Sequence, residues 1–202
     1  MSRPRGDHAT RRDEIALAAA GVIASRGLER VTLREVAAAL GVTTGVLTHY
    51  FASKQALLRH TKELVFDRGL ARAWAAAAAP AAEGIERLHA VVTEMLPLDR
   101  ERQAQWRLLL AFHASAIGSV SIRRAQARRM ERWYALFETV VAPLLTSNVG
   151  RPPHDPARTG MAVALFVEGL AIQLVTTAPV PPPEWQLAFA REQVERLVGL
   201  RR

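Results

Sequence analysis

The stretch Val31-Thr32-Leu33-Arg34-Glu35-Val36-Ala37-Ala38-Ala39-Leu40-Gly41-Val42-Thr43-Thr44-Gly45-Val46-Leu47-Thr48-His49-Tyr50-Phe51 decides the fold of this 202-residue chain. Thr32-Leu33-Arg34-Glu35 is a capping box, in which the Thr hydroxyl and the Glu carboxylate each accept an orphan backbone N–H at a helix start. Leu33, Val36, Ala37 and Leu40 follow at helical spacing and line one face. That helix ends at Gly41. A second, short helix opens at Thr43 or Thr44 and runs to about Tyr50, with Val46, Leu47, Tyr50 and Phe51 as its candidate inward contacts. Two helices joined by a short glycine turn, the second polar on one side, are a helix-turn-helix.

The outward side of the second helix carries chemistry suited to a groove. Thr43, Thr44, Thr48 and His49 present hydroxyls and an imidazole, and Gly45 keeps the surface shallow enough for close approach. Arg34, Lys54 and an N-terminal arm bearing Arg3, Arg5, Arg11 and Arg12 flank this surface and would neutralise phosphates.

Working outward, Ile15, Ala18, Ala19, Val22 and Ile23 form one face of a preceding helix, closed by Arg26 and a left-handed cap at Gly27. Downstream, Ser53 caps a long fourth helix carrying Leu57, Leu58, Thr61, Leu64 and Val65, which must stop near Pro80. Further helices are expected at 82–96, 99–116 (capped by Asp99), 119–147, 156–178 (capped by Asp155, with Pro156 at its first position) and 184–200. The Pro- and Gly-rich segments 148–156 and 178–183 read as exposed connectors. Strand signals are almost absent, so the expected class is all-α.

Composition narrows the function. A formal net charge of +8 favours polyanionic partners, although 25 of the 27 basic residues are Arg, which is partly a compositional habit. With no cysteine there is no disulfide scaffold, thiolate metal site or Cys nucleophile, and a reducing compartment fits. The first thirty residues lack the apolar core of a signal peptide and carry Asp7, Asp13 and Glu14, so a cytoplasmic location is expected. The apolar run 161–178, interrupted by Glu168 and Gln173, is shorter than a membrane span and reads as a core or interface helix. No dinucleotide-binding glycine motif, P-loop, nucleophile elbow or zincin motif occurs, and the six His form no i, i+4 pair. No enzyme activity, cofactor or metal is expected.

The segment from Ala16 to Leu58, above all the stretch quoted at the outset together with Ser53-Lys54, resembles the DNA-binding domain of TetR-family repressors. Order, spacing and residue types agree over about forty positions. Thr48 departs from the family, which often has a Tyr there. The resemblance implies an all-helical homodimer with a DNA-binding domain over 1–52 and a ligand-binding and dimerisation domain over 53–202. The first would hold three helices in a helix-turn-helix arrangement and the second six, of which the last two form the dimer interface. Residue by residue, it implies that Thr43 caps the recognition helix near a phosphate, that Thr44, Gly45 and Thr48 face base edges, and that His49, Tyr50 and Lys54 hold the backbone. Tyr50 packs its ring or offers its hydroxyl, and Phe51 continues the Leu47 face into the core.

The C-terminal part, through Pro97-Leu98-Asp99, Trp106-Arg107-Leu108, Ala111-Phe112, an Arg-rich seventh helix ending in Trp133, and Val167-Glu168-Gly169-Leu170-Ala171, is similar to the regulatory domain of the BetI-like branch. Bulky residues at helical spacing, Met95, Trp106, Phe112, Trp133 and Phe137, suit either core packing or a partly apolar ligand cavity, and His89 and His113 would orient a ligand or be satisfied core histidines. The arginines 123, 124, 128, 129 and 132 read as a solvated face, with an anionic ligand or a contact to the DNA-binding domain as the sharper reading. Glu168, beside small Gly160, Ala164, Gly169 and Ala171, is expected near a dimer interface. The functional expectation is a repressor that binds a palindromic operator in double-stranded DNA and is released by a small molecule. An architectural DNA binder would show weak sequence preference, and a regulator sensing a protein would carry a flat patch in place of a cavity.

Overall fold

The computed structural model describes residues 5–80, 82–116, 120–146 and 155–200. These form nine helices and no strand: α1 (Arg5–Arg26), α2 (Leu33–Ala39), α3 (Thr44–Tyr50), α4 (Lys54–Ala77), α5 (Gly84–Met95), α6 (Arg100–Ala116), α7 (Val120–Thr146), α8 (Pro156–Thr176) and α9 (Pro183–Leu197). The chain packs as two compact units, one of residues 1–68 with 104–114 and one of residues 69–103 with 115–202. The first part of α4 and the middle of α6 share a hydrophobic core with α1–α3, through Leu57, Val65, Leu108 and Phe112.

In the first unit, local chemistry sets the helix ends. The Thr32 hydroxyl accepts the Glu35 N–H at 3.2 Å, and the Glu35 carboxylate accepts the Thr32 N–H at 2.9 Å, which closes the expected capping box. α2 ends in a Schellman turn. Gly41 has φ +66°, its N–H donates to the Ala38 carbonyl, and the Val42 N–H reaches back to the Ala37 carbonyl at 3.0 Å. A side chain at Gly41 would be strained, so glycine sets the angle between α2 and α3. α3 has seven residues, too few to be stable alone. Leu47 and Phe51, 0% and 2% exposed, anchor it in the core, each contributing about 2 kcal/mol.

α1 begins at Arg5, well before the expected first helix, so the basic arm is helical from there. Arg3 lies outside the described residues.

In the second unit, the expected Asp155 cap with Pro156 at the first position opens α8, and Asp99 accepts the Arg102 N–H at the start of α6. α7 and α8 make the principal contact of this unit. The inward face of α8 is Gly160, Val163, Ala164, Val167, Ala171 and Leu174, all buried within the chain. Gly160, Ala164 and Ala171 thus serve packing inside the chain, whereas Gly169 faces outward with nothing near it. α8 is the one described helix long and apolar enough to cross a membrane. Within the single chain, 33% of that apolar stretch is buried. The connector at 147–154 lies outside the described residues.

Candidate nucleic-acid interface

α3 presents Thr44, Gly45, Thr48 and His49 on its exposed side, as expected, with Thr43 exposed as its N-cap residue. The Thr43 hydroxyl makes no capping hydrogen bond and is available to an outside partner. Thr48 donates its hydroxyl to the Gly45 carbonyl at 3.0 Å, which favours one rotamer. A Cβ at Gly45 would meet only the Thr43 hydroxyl, at 3.6 Å, an ordinary contact. Any need for glycine there comes from something that approaches from outside.

Tyr50 is half-buried and part of the hydrophobic packing of this unit. Its ring centroid lies 5.0 Å from that of His49, edge to face. A residue outside the sequence-based site also joins it: His8, on the first turns of α1, lies 4.8 Å from Tyr50 and 6.3 Å from His49 between ring centroids. The signal was present in the sequence. His8 and Arg12 continue the Ile15, Ala19, Ile23 stripe backward by whole turns, and Arg12 sits 4.6 Å over the Phe51 ring. Arg11 pairs with Glu14, and Asp13 pairs with His60 of α4 at 2.8 Å. Arg12 and Asp13 thus hold α1 in place, whereas the Arg11 pair lies within α1 itself.

Arg34 is exposed on α2 and Lys54 is half-buried at the first position of α4. Ser53 accepts the Ala56 N–H at 3.1 Å, which positions that helix start. Glu35 also accepts a hydrogen bond from Arg26 at 2.7 Å, which ties the end of α1 to the start of α2. The hydrogen bond from the Thr32 hydroxyl, aided by the Thr32 N–H and Arg26, lowers the Glu35 carboxyl below its ordinary 4.5.

The residues expected around a ligand fall in both units. Trp106, Phe112 and His113 belong to the first, where Phe112 is a core ring with the Lys62 ammonium 5.2 Å from its centroid. His89, Met95, Trp133 and Phe137 belong to the second and are buried there. Trp133 and Phe137 meet edge to face at 5.1 Å. His89 Nε2 lies 3.2 Å from Glu195 of α9, off the line of a hydrogen bond, and its Nδ1 lies 3.5 Å from Glu86. Among the arginines of α7, four are exposed and Arg129 is buried, donating to Gln126 at 3.0 Å. Glu168 is half-buried, and desolvation raises its carboxyl above 4.5. No group of three metal-ligating side chains occurs among the described residues.

Residues 8–61 match the family of bacterial regulatory proteins of the tetR family, and residues 84–199 match the C-terminal domain of BetI-type transcriptional repressors. The chain belongs to the TetR family. Among TetR-family relatives, the HTH-type transcriptional regulator BetI of Agrobacterium fabrum is 31% identical over 168 residues, covering 81% of this chain and 76% of that protein. A transcriptional regulator from Rhodococcus sp. Rha1 has the same fold, with a TM-score of 0.78 at 24% identity, covering 93% of this chain and 95% of that one. So does AibR, solved with isovaleryl coenzyme A and operator DNA, with a TM-score of 0.69 at 20% identity, covering 91% and 97%. As a TetR-family member the chain is a transcriptional regulator, and its all-α helix-turn-helix architecture is the one the quoted stretch implied.

Proposed function

We propose that this TetR-family chain is a cytoplasmic, homodimeric repressor of the genes beside its own, released from its operator by a small molecule. The observation that carries the DNA-binding part is the exposed row Thr43, Thr44, Gly45, Thr48 and His49 on a helix anchored from behind by Leu47 and Phe51. In this reading Thr44, Gly45 and Thr48 face base edges, and Arg34, Thr43, His49, Tyr50 and Lys54 hold phosphates. Two copies would place their recognition helices in successive major grooves, about 34–36 Å apart.

Dimerisation through α8 and α9 is supported by their exposed apolar side chains. Met161 and Leu165 on α8 and Trp185 on α9 are 43%, 49% and 50% exposed in the single chain, large groups that a second copy would cover. Residues 53–202 are assigned ligand binding and dimerisation, and residues 1–52 DNA binding. In the second unit, His89, Met95, Trp133 and Phe137 are the proposed ligand contacts. Ligand would favour a dimer whose two heads are misplaced for the operator, a population shift that needs a differential affinity of several kcal/mol.

The test is binding of the purified protein to the DNA upstream of its own coding sequence, at about 150 mM salt with competitor DNA. Protection of a short palindrome supports the regulator reading. Diffuse binding that vanishes with salt supports an architectural DNA binder instead.

A further inference from the structure

We infer that His8 is a positioning residue for DNA binding, which holds the Tyr50 ring at the end of the recognition helix. The inference rests on the DNA-binding reading above and adds a residue to it. The Tyr50 ring packs beside two imidazoles, His8 of α1 at 4.8 Å and His49 of α3 at 5.0 Å, and the two histidines are themselves 6.3 Å apart, so the three rings form a triangle. Both histidines are exposed, and Tyr50 is half-buried.

The core does not need this cluster. Leu47 and Phe51 already close that side of the unit, at 0% and 2% exposure. A half-exposed Tyr at a helix end would otherwise sample several rotamers and lose that freedom only on binding. Aromatic pairs contribute about 0.5–1.5 kcal/mol each, enough to hold one rotamer in advance. α1 is placed for the task by two contacts along its length, the Arg12 guanidinium over Phe51 and the Asp13–His60 pair. His8 stands one turn before Arg12, so the helix that carries it is fixed against both α3 and α4. The hydroxyl of Tyr50 is then presented at one place beside His49, where a backbone phosphate would accept it.

The experiment titrates two duplexes of about 30 base pairs, long enough for two half-sites, one from upstream of the coding sequence and one scrambled. Wild type, His8→Ala, His8→Phe, Tyr50→Phe and the double variant His8→Ala with Tyr50→Phe are compared by fluorescence anisotropy over a range of salt. His8→Ala is expected to weaken binding to both duplexes roughly three- to tenfold and to leave the salt dependence unchanged, because the Tyr50 hydroxyl carries no charge. His8→Phe, which keeps the ring packing, should bind within about twofold of wild type, and the double variant should bind no more weakly than Tyr50→Phe alone. Thermal midpoints, measured alongside, should fall by no more than a few degrees in the His8 variants because His8 is exposed. Wild-type affinity in His8→Ala, a His8→Phe variant as weak as His8→Ala, or strict additivity in the double variant would each overturn the inference. If wild type binds neither duplex even at low salt, the DNA-binding reading itself fails, a result separate from these three.

Discussion

Gly160 of α8 lies directly against the backbone of Glu138 on α7. A methyl group at Gly160 would stand 2.6 Å from the Glu138 nitrogen and 2.7 Å from its Cα. These are main-chain atoms in the middle of a helix, so they cannot swing aside as the tip of a side chain would. Gly160→Ala must push α7 and α8 apart along their whole contact, and a loss of about 2–3 kcal/mol is expected in urea unfolding. Gly21→Ala is the control. It lies inside α1 with nothing within 4 Å, and alanine there should leave stability unchanged or raise it by up to about 1 kcal/mol.

The capping box makes a second prediction, with a defined sign. Thr32→Ala removes the side-chain acceptor for the Glu35 N–H and should cost about 1 kcal/mol. Because the Glu35 carboxyl is lowered in the folded chain, chiefly by the Thr32 hydroxyl, its contribution is present above 4.5 and is lost as pH falls through the lowered value. In Thr32→Ala this part of the acid dependence should flatten. Thermal midpoints of both proteins followed downward from pH 6 would check it, and parallel curves would count against the role given to Thr32.

Three substitutions on the DNA-facing surface separate its roles. Gly45→Ala meets no obstacle inside the protein, so its fold should be unaltered while operator affinity drops, because the added methyl group stands between the helix and the groove. Lys54→Ala should weaken binding evenly across sequences and flatten the salt dependence by about one unit, whereas Thr44→Ala should chiefly change base preference. Binding isotherms on the operator and on single-base variants of it, at several salt concentrations, distinguish these outcomes.

Glu168 and Tyr134 are electrostatically linked within the second unit. Tyr134 is raised above its ordinary 10.0, first by desolvation and then by the charge of Glu168. Glu168 itself is raised by burial, so the folded chain favours its protonated form, and the ionised form costs stability as pH rises above 4.5. Glu168→Gln should therefore gain stability relative to wild type at neutral pH, with the difference vanishing below that point. It should also bring Tyr134 back toward 10. With only two tyrosines in the chain, the tyrosinate absorbance of Tyr134 can be followed against that of Tyr50.

Leu165 tests the proposed dimer. It is exposed on the single chain although apolar, and it lies on the face of α8 opposite the buried stripe. Leu165→Glu would bring an unpaired charge into a surface covered by the second copy, so sedimentation should shift from dimer to monomer and operator binding should fall with it. An unchanged sedimentation profile would remove α8 from the interface.

Much of this molecule was legible residue by residue. The capping box at Thr32, the glycine stop at Gly41, the Ser53, Asp99 and Asp155 caps and the row of small polar residues on α3 all appear where the local spacing puts them, because each depends on groups within a few positions of one another. The all-α class and the helix-turn-helix follow from the same short-range chemistry. Other features depend on which distant surfaces meet. The sequence places Gly160 among small residues suited to close packing, but only the fold shows that Gly160 faces α7 of the same chain while Gly169 faces outward. Arg12 reads as part of a basic arm, and His8 stands out for nothing, until α1 is seen to run from Arg5 and lay the two on Phe51 and Tyr50. The middle of α6 packs with the N-terminal helices because Leu108 and Phe112 complete a core that α1–α4 leave open. Helix ends are set by hydrogen bonds a turn long, which local sequence determines; packing partners are chosen by burying complementary faces that lie far apart along the chain, which only the tertiary structure decides.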